Sequence, residues 1–324
     1  MRLAVLGVGL IGGSIGLAAR RRTGAYVVGY DSEASALSSA VDLGVIDEPA
    51  FSVADAVSGA DVVFVATPVS SATNCALAAL EAAGADCVVS DVGSTKRTIV
   101  GAISDARFVG GHPLAGRETA GVGNAREDLF DGATWYLTPA AGAAWSVAGA
   151  GASAADAPRE SPTTGICQPV NATGAAPTDA APWAVERLRG LIERIGARPA
   201  AIEPDVHDRL MASVSHLPHV LANVLVTQAA RAIAGGGSGE RDTLGAGPSF
   251  RDATRVAGAN TTIWTDIYMS NRELLTVALD GAIEELGEVR EALADADADA
   301  LTSWNERARA ERERLRQAGL LSGP

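Results

Sequence analysis

Short apolar runs alternate with helical segments over the first two hundred residues of the chain. The helical pattern predicts helices at 10–22, 33–43 and 183–195. The apolar runs predict strands at 2–7, 26–30, 61–66, 86–91, 107–110, 134–138 and 198–202. Such alternation is typical of a parallel sheet with helices on both faces.

From Pro204 onward the periodicity is helical. It predicts helices at 205–234, 249–258, 261–280 and 281–316, with a glycine-rich stretch at 235–239 between the first two. The predicted fold is therefore an α/β domain over 1–204 followed by an all-α domain over 205–324, which we expect to carry substrate contacts and a dimer contact.

Residues 141–181 interrupt the first domain. They are rich in Ala, Gly, Ser, Thr and Pro and show little periodicity. Such a composition buries too little apolar surface to offset the entropy of ordering it. We predict a long flexible insertion here.

The sequence GVGLIG at 7–12 follows the first predicted strand and opens the first helix. Gly7 suits a tight turn, Gly9 permits close approach of a pyrophosphate, and Gly12 lets the helix pack on the strand. Asp31 ends the second strand, where a carboxylate binds ribose hydroxyls and repels the extra phosphate of NADP. A glycine-rich turn with a capping aspartate is the simpler alternative. The full context predicts a Rossmann-type domain that binds NAD. Further candidate cofactor contacts are Leu10, Ile11, Thr67 and Pro68.

The formal net charge is -13, which disfavours nucleic acid as a partner. An anionic substrate would need a local cluster of Arg or His, because Lys96 is the only lysine. Three cysteines without CxxC spacing argue against a disulfide framework or a zinc site. Glycines interrupt the apolar run after Met1, and we expect no membrane-spanning segment. A cytoplasmic protein is the expectation.

His112 follows a short predicted strand within GGHPLAG. Ligands bind at this end of strands in open α/β sheets, and an imidazole can accept a proton from a hydroxyl as hydride leaves the same carbon. A histidine that only pins the loop backbone is an equal alternative. Ser94 also follows a strand end and could bind a substrate hydroxyl or orient His112, although a helix cap is the commoner use of such a serine.

His216 and His219 are three residues apart, which places them on one helix face. Pro218 lacks a backbone donor and should kink that helix. The pair resembles a substrate site more than a metal site, since no third ligand has suitable local spacing. For His207, which neighbours Asp208, a capping or salt-bridge role is expected.

Arg251 and Arg255 are four residues apart, on one face of a predicted helix. Two guanidinium groups there could bind carboxylates, although a solvated face is the alternative. Trp264 and Asp266 could frame the same pocket.

Taken together, these motifs resemble those of the prephenate and arogenate dehydrogenases of tyrosine biosynthesis. The resemblance covers residue 1 to about 280, and the GGHPLAG and SHLPH pair carries most of its weight. The matching strings are GVGLIGGS, SDVGSTK, GGHPLAG, HDRLMASVSHLPH and FRDATRVA.

The resemblance implies NAD-dependent oxidative decarboxylation of prephenate by a homodimer. It makes His112 the catalytic histidine and places Ser94 beside it. It puts His216, His219, Arg251 and Arg255 in the substrate site, with Arg255 the expected partner of the ring carboxylate. The long insertion departs from the family pattern.

Two other functions stay open at this point, and a third is disfavoured. Arogenate differs from prephenate only in its side-chain amine, so arogenate dehydrogenase is a close alternative. A 3-hydroxyacid dehydrogenase would be expected to use a helix-borne lysine, and the helical domain has none. A non-catalytic NAD sensor would need the cofactor loop but not His112, Ser94 and Arg255.

Overall fold

A computed structural model of the chain describes residues 1–116, 119–139, 180–234 and 245–319. These residues fall into two compact units, Met1–Asn271 and Arg272–Pro324. The predicted insertion at 141–181 lies almost wholly outside the described residues, as does the glycine-rich stretch at 235–239. The predicted domain boundary after residue 204 stays a prediction.

An eight-stranded sheet forms the centre of the first unit, in the order β3-β2-β1-β4-β5-β6-β7-β8. Its strands are β1 (Arg2–Leu6), β2 (Tyr26–Tyr30), β3 (Glu48–Pro49), β4 (Val62–Val65), β5 (Val88–Asp91), β6 (Phe108–Pro113), β7 (Thr134–Thr138) and β8 (Arg198–Ala201). The order reverses between β1 and β4, which is where a doubly wound sheet opens a crevice for ligands.

Helices cover both faces of this sheet, as predicted, because successive strand residues point to opposite sides. Leu3 and Val5 pack with the first set of helices, and Ala4 and Leu6 with the second. The first set is α1 (Leu10–Thr23), α2 (Ala34–Asp42) and α6 (Pro182–Arg194). The second set is α3 (Val53–Val57), α4 (Val69–Ala82) and α5 (Arg97–Ala102).

The prediction of a wholly parallel sheet is wrong at β7. This strand runs antiparallel to β6, pairing His112 with Tyr136 and Pro113 with Trp135. Apolar composition does not specify strand direction, and the described residues of the connection at 114–133 contain only a short 3₁₀ turn (Val122–Asn124) in place of the long helical crossover that parallel strands need. The pattern also left out β3 and the helices α3, α4 and α5, which are short or rich in alanine.

The predicted helix at 205–234 contains a change of helical type. It consists of α7 (Pro204–Met211), a π-helical turn (Ala212–His216) and α8 (Leu217–Ala234). Pro218 has no N–H to offer the carbonyl of Val214, and the Leu217 N–H bonds instead to Ala212, five residues back. The helical distortion expected at Pro218 is this π-helical turn, which is wider than an α-helical one.

The helical run Pro204–Ile233 is apolar and long enough to cross a membrane, with a mean hydropathy of 1.3 over an 18-residue window. The expectation that no stretch of the chain has the length and apolarity of a membrane-spanning helix is therefore wrong. The same run buries His207, Asp208 and His216, and its Asp208 bonds to the backbone of α5. These contacts tie the start of the run to the first unit, whereas only 28% of the apolar window is buried.

Three more helical segments complete the first unit: α9 (Pro248–Thr254), a 3₁₀ turn (Arg255–Gly258) and α10 (Thr261–Ser270). The second unit consists of α11 (Arg272–Ala294) and α12 (Ala298–Gln317). The predicted boundary between 280 and 281 is wrong, since the breaks fall at Asn271 and at 295–297. Asn271 ends α10 with its side chain buried in hydrogen bonds, which periodicity cannot indicate.

Replacement of Gly12 by alanine is expected to destabilise the fold. A Cβ at Gly12 would lie 1.9 Å from the Gly7 carbonyl oxygen and 2.9 Å from Val5 Cγ1. The helix would have to move off the sheet, at a cost of about 3 kcal/mol in the free energy of unfolding. Gly9→Ala is the matched control, because a Cβ at Gly9 meets nothing within 4 Å. Urea titration should leave Gly9→Ala within about 1 kcal/mol of the wild type, and equal losses in both variants would contradict this packing.

Candidate active site

The loop between β1 and α1 has the backbone geometry that its glycines predict. Gly7 has a φ of 97°, and its N–H donates to Tyr30 at 2.7 Å. A Cβ at Gly7 would lie 2.5 Å from the Ala66 carbonyl oxygen, so only glycine fits. Gly9 precedes α1 and receives no side-chain cap. The open space above Gly9 and the free start of the helix suit a phosphate group.

Asp31 lies at the end of β2 beside this loop. One carboxylate oxygen accepts the Val8 N–H at 2.9 Å, and the other accepts the Glu33 N–H at 3.0 Å. Across the crevice, Thr67 and Pro68 follow β4, and the Thr67 hydroxyl is buried with no partner among the described residues. Leu10 and Ile11 form the first turn of α1. These residues fit a dinucleotide: an open glycine at the pyrophosphate position and a carboxylate at the ribose position.

A buried ion pair lies between the end of β5 and the start of α5. The Lys96 ammonium contacts the Asp91 carboxylate, and both side chains are fully buried. Asp91 also accepts the Gly93 N–H at 2.8 Å and the Gly111 N–H at 3.1 Å. Burial lowers the pKa of Lys96, and the Asp91 charge opposes that shift. The pair therefore ties the loop that bears Ser94 to the strand that bears His112.

His112 belongs to a chain of buried side chains. Its Nδ1 lies 2.9 Å from Nε2 of His207, and His207 Nδ1 lies 2.7 Å from Oδ1 of Asp208. The ring of Tyr136, on the antiparallel strand, meets the His207 ring edge-on. The sheet thus supplies His112 and α7 supplies its two supporting residues.

Asp208 also binds the backbone at the start of α5. Its Oδ1 accepts the Lys96 N–H at 2.7 Å, and its Oδ2 accepts the Arg97 N–H at 2.9 Å. The first N–H groups of a helix have no partner within the helix, and a carboxylate satisfies them well. The Asp208 carboxylate therefore bonds both to His207 of the His112 chain and to the backbone that follows Ser94. Ser94 is half-buried.

The pKa of His112 lies well below its usual range. Burial is the main cause, and the neighbouring His207, Lys96 and His216 act in the same direction. His112 is therefore neutral at pH 7, which is the state required of a group that accepts a proton.

His216 lies in the π-helical turn with its Nδ1 3.2 Å from the side-chain nitrogen of Asn271. The same Asn271 nitrogen donates to the Asp208 carbonyl at 2.7 Å, which fixes the orientation of the amide. His216 Nδ1 is then an acceptor. Burial lowers the pKa of His216 to about 4, so the neutral ring carries its proton on Nε2. That buried atom has no partner among the described residues and can donate to a ligand.

His219 lies one turn further along, beside Trp264 and Tyr268 of α10. Its ring stacks on Trp264 with centroids 3.6 Å apart, and its Nδ1 contacts the Tyr268 hydroxyl. Trp264 also meets His216 edge-on at 6.3 Å. Both histidines therefore face the same indole, as their spacing predicts. Burial lowers the pKa of His219, and the Val256 carbonyl opposes the shift.

The two arginines do not lie on one continuous helix. Arg251 belongs to α9, whereas Arg255 begins the 3₁₀ turn, and both side chains are exposed. The prediction of one helix over 249–258 is wrong because the α-helix ends at Thr254. The 3₁₀ turn packs against α8, with the Val256 carbonyl next to His219. Asp266, also suggested for this pocket, accepts a 2.6 Å hydrogen bond from Ser70 of α4.

Sequence reasoning overlooked four site residues. His207 does hydrogen-bond to the neighbouring Asp208, but its bond to His112 crosses from one element to another and has no local signal. Asp91 and Lys96 stand in the motif at 90–96, and an acidic residue near the only lysine of the chain is the signal that could have indicated their pairing. Asn271 lies outside every motif.

Two family models match the chain. The model described as prephenate dehydrogenase, nucleotide-binding domain, matches residues 15–146. The model described as prephenate dehydrogenase, dimerization domain, matches residues 203–306. The prephenate dehydrogenase of Bacillus subtilis is 31% identical, over 98% of this chain and 78% of that protein. The chain belongs to the prephenate dehydrogenase family.

Other members of the prephenate dehydrogenase family are similar over comparable lengths. The cyclohexadienyl dehydrogenase of Zymomonas mobilis is 31% identical, over 92% of this chain and 90% of that protein. The structure of prephenate dehydrogenase from Aquifex aeolicus with hydroxyphenyl propionate and NAD+ is 26% identical, with a TM-score of 0.78. The match covers 97% of this chain and 98% of the Aquifex aeolicus chain.

Membership in the prephenate dehydrogenase family confirms three predictions. The fold is a nucleotide-binding α/β domain followed by a helical domain, the protein is an NAD-dependent oxidoreductase, and the matched C-terminal model is a dimerization domain. The roles of individual site residues stay predictions.

Replacement of Gly9 by alanine is expected to weaken NAD+ binding without loss of stability. The added methyl group would fill the space that the open loop leaves for a pyrophosphate. We expect the Kd for NAD+, measured by calorimetry, to rise at least tenfold, or about 1.4 kcal/mol. Gly84→Ala, at another open glycine away from the loop, is the control. An unchanged Kd for NAD+ in Gly9→Ala would show that the loop does not bind the cofactor.

Proposed function

We propose that this protein catalyses the NAD-dependent oxidative decarboxylation of prephenate to 4-hydroxyphenylpyruvate and CO2. The observation that carries the proposal is His112: a buried imidazole, neutral at pH 7, at the end of β6 and beside the Ser94 loop. The family supplies the reaction class, and this geometry supplies the base that such a reaction needs.

In the proposed reaction, Nε2 of His112 accepts the proton of the ring hydroxyl. NAD+, held by the glycine loop and Asp31, would supply the acceptor for the hydride of the same ring carbon. The ring carboxylate then departs as CO2, the electron pair of the broken carbon–carbon bond completes the aromatic ring, and the resulting phenolate oxygen takes the proton back from His112. Because aromatisation favours the product, the protein mainly has to align the substrate and take up the proton. Ser94 contributes a hydroxyl that binds the same oxygen.

The helical segments bind the two carboxylates of prephenate. Arg255 pairs with the ring carboxylate, and Arg251 adds a second positive charge in a chain whose net charge is -13. His216 donates from Nε2 as a neutral group, and His219 lies beside it on the Trp264 ring. A neutral donor adds affinity without the cost of burying another charge.

NAD+ would be held by the glycine loop and Asp31. Gly7, Gly9 and Gly12 shape the loop, with Leu10 and Ile11 at the helix start. Thr67 and Pro68 lie at the opposite wall of the crevice. The carboxylate of Asp31 favours NAD+ over NADP+, because it would repel the additional phosphate.

We also infer a cytoplasmic homodimer that binds neither nucleic acid nor membrane. The matched dimerization domain and the acidic surface support this assembly. The domains are proposed as 1–204 for NAD and 205–324 for substrate and dimer contacts.

Arogenate dehydrogenase is the second candidate, favoured by the 31% identity to a cyclohexadienyl dehydrogenase. A steady-state comparison decides between them. NADH absorbance is followed with NAD+ and either prephenate or arogenate, together with CO2 release. We expect a higher kcat/KM with prephenate. Equal or better turnover of arogenate would reassign the substrate, and no NADH with either would point to a non-catalytic sensor.

His112→Asn is expected to lower kcat by roughly 10²–10⁴-fold, because the amide cannot accept the hydroxyl proton. NAD+ binding should be unchanged, since the glycine loop lies on other strands. The matched control is Asn124→Ala, at an exposed 3₁₀ turn. Near-normal turnover in His112→Asn would disprove the proposed base.

A further inference from the structure

The carboxylate of Asp208 receives three N–H donors. These come from the backbone of Lys96, the backbone of Arg97 and the ring of His207, at 2.7, 2.9 and 2.7 Å. An ionised carboxylate only accepts hydrogen bonds. A neutral His207 bonded to it must therefore carry its ring proton on Nδ1.

The tautomer of His207 determines that of His112. With its proton on Nδ1, His207 presents a bare Nε2 to Nδ1 of His112, 2.9 Å away. His112 must then donate from Nδ1, which leaves its own Nε2 without a proton. The basic atom of His112 is therefore the one that points away from His207.

The same carboxylate places a negative charge at the far end of the chain. When His112 takes up a proton, the new positive charge is stabilised through His207 by Asp208. Asp208 is 1% exposed, so water does little to screen this interaction.

We propose that Asp208 is a positioning residue, which sets the tautomers of His207 and His112 so that His112 Nε2 is the base. The inference rests on the proposed function for the role of that base, but its tautomer claim stands on the hydrogen bonds alone. A purely structural alternative exists, in which Asp208 serves only to cap α5.

Asp208→Ala tests the positioning role. Without the carboxylate, a proton on His207 Nδ1 would be buried with no acceptor from Asp208, whereas a proton on Nε2 could be donated to Nδ1 of His112. His207 would then shift its proton to Nε2, which moves the His112 proton onto Nε2. We expect kcat to fall by roughly 10²–10⁴-fold, with the KM for prephenate and the Kd for NAD+ within about threefold.

The direct readout is the nitrogen NMR spectrum of protein labelled at histidine. The chain has only four histidines, so single substitutions assign every ring. We expect the wild type to show His207 and His112 protonated on Nδ1 and His216 protonated on Nε2. In Asp208→Ala, His207 and His112 should move to the Nε2-protonated form while His216 stays unchanged.

Asp205→Ala is the matched control. It lies on the same helix, pairs with Arg97 and is 73% exposed on its side chain. Both kcat and the tautomers should remain as in the wild type. His207→Gln is the second variant, since it leaves the Asp208 bonds to α5 in place. It should fold normally and lose kcat, which a capping role alone does not explain.

The outcomes separate the two claims. If the tautomers of Asp208→Ala match the wild type, or if His207→Gln retains kcat within twofold, the positioning role is wrong. If the wild type shows the expected tautomers and the variant inverts them, but prephenate is not oxidised, the proposed function fails and the positioning inference survives.

Discussion

The bonds between the Asp208 carboxylate and the start of α5 connect the helical segments to the nucleotide-binding sheet. Asp208 comes from α7, whereas Lys96 and Arg97 follow the Ser94 loop. A buried carboxylate is costly unless its oxygens are satisfied, and here backbone N–H groups and an imidazole satisfy them. The position of His207, and through it that of His112, depends on this contact.

The π-helical turn and Asn271 extend the same arrangement to the other side of the site. Pro218 removes a backbone donor, and the resulting wide turn holds His216 buried against Asn271. The amide of Asn271 bonds to both the Asp208 carbonyl and His216. Two tautomers, those of His112 and His216, are therefore set by residues that touch one another. Neutral His112 is therefore left to accept a proton, and neutral His216 to donate a hydrogen bond.

Local signals in the sequence predicted much of this structure. The glycine loop, Asp31 and the apolar strands have patterns that arise from backbone geometry and burial, and they predicted the nucleotide-binding domain. The motifs around His112 and His216 indicated the reaction through family resemblance. Periodicity gave wrong predictions where tertiary contacts determine the structure. β7 reverses direction, α10 ends at a buried Asn271, and the helix that bears Arg251 changes to a 3₁₀ turn at Arg255. His207 and Asn271 act through partners distant in sequence, which spacing cannot reveal.

The central claim is that burial keeps His112 neutral and ready to accept a proton. The pH dependence of kcat/KM for the wild-type enzyme, followed as NADH formation from prephenate, tests it most directly. The base works only when neutral, so activity is lost as pH falls through its pKa. Burial, reinforced by His207, Lys96 and His216, lowers that pKa. The account predicts a level profile through pH 7 and an acid limb below the ordinary imidazole value of about 6.5. An acid limb at or above that value would contradict it.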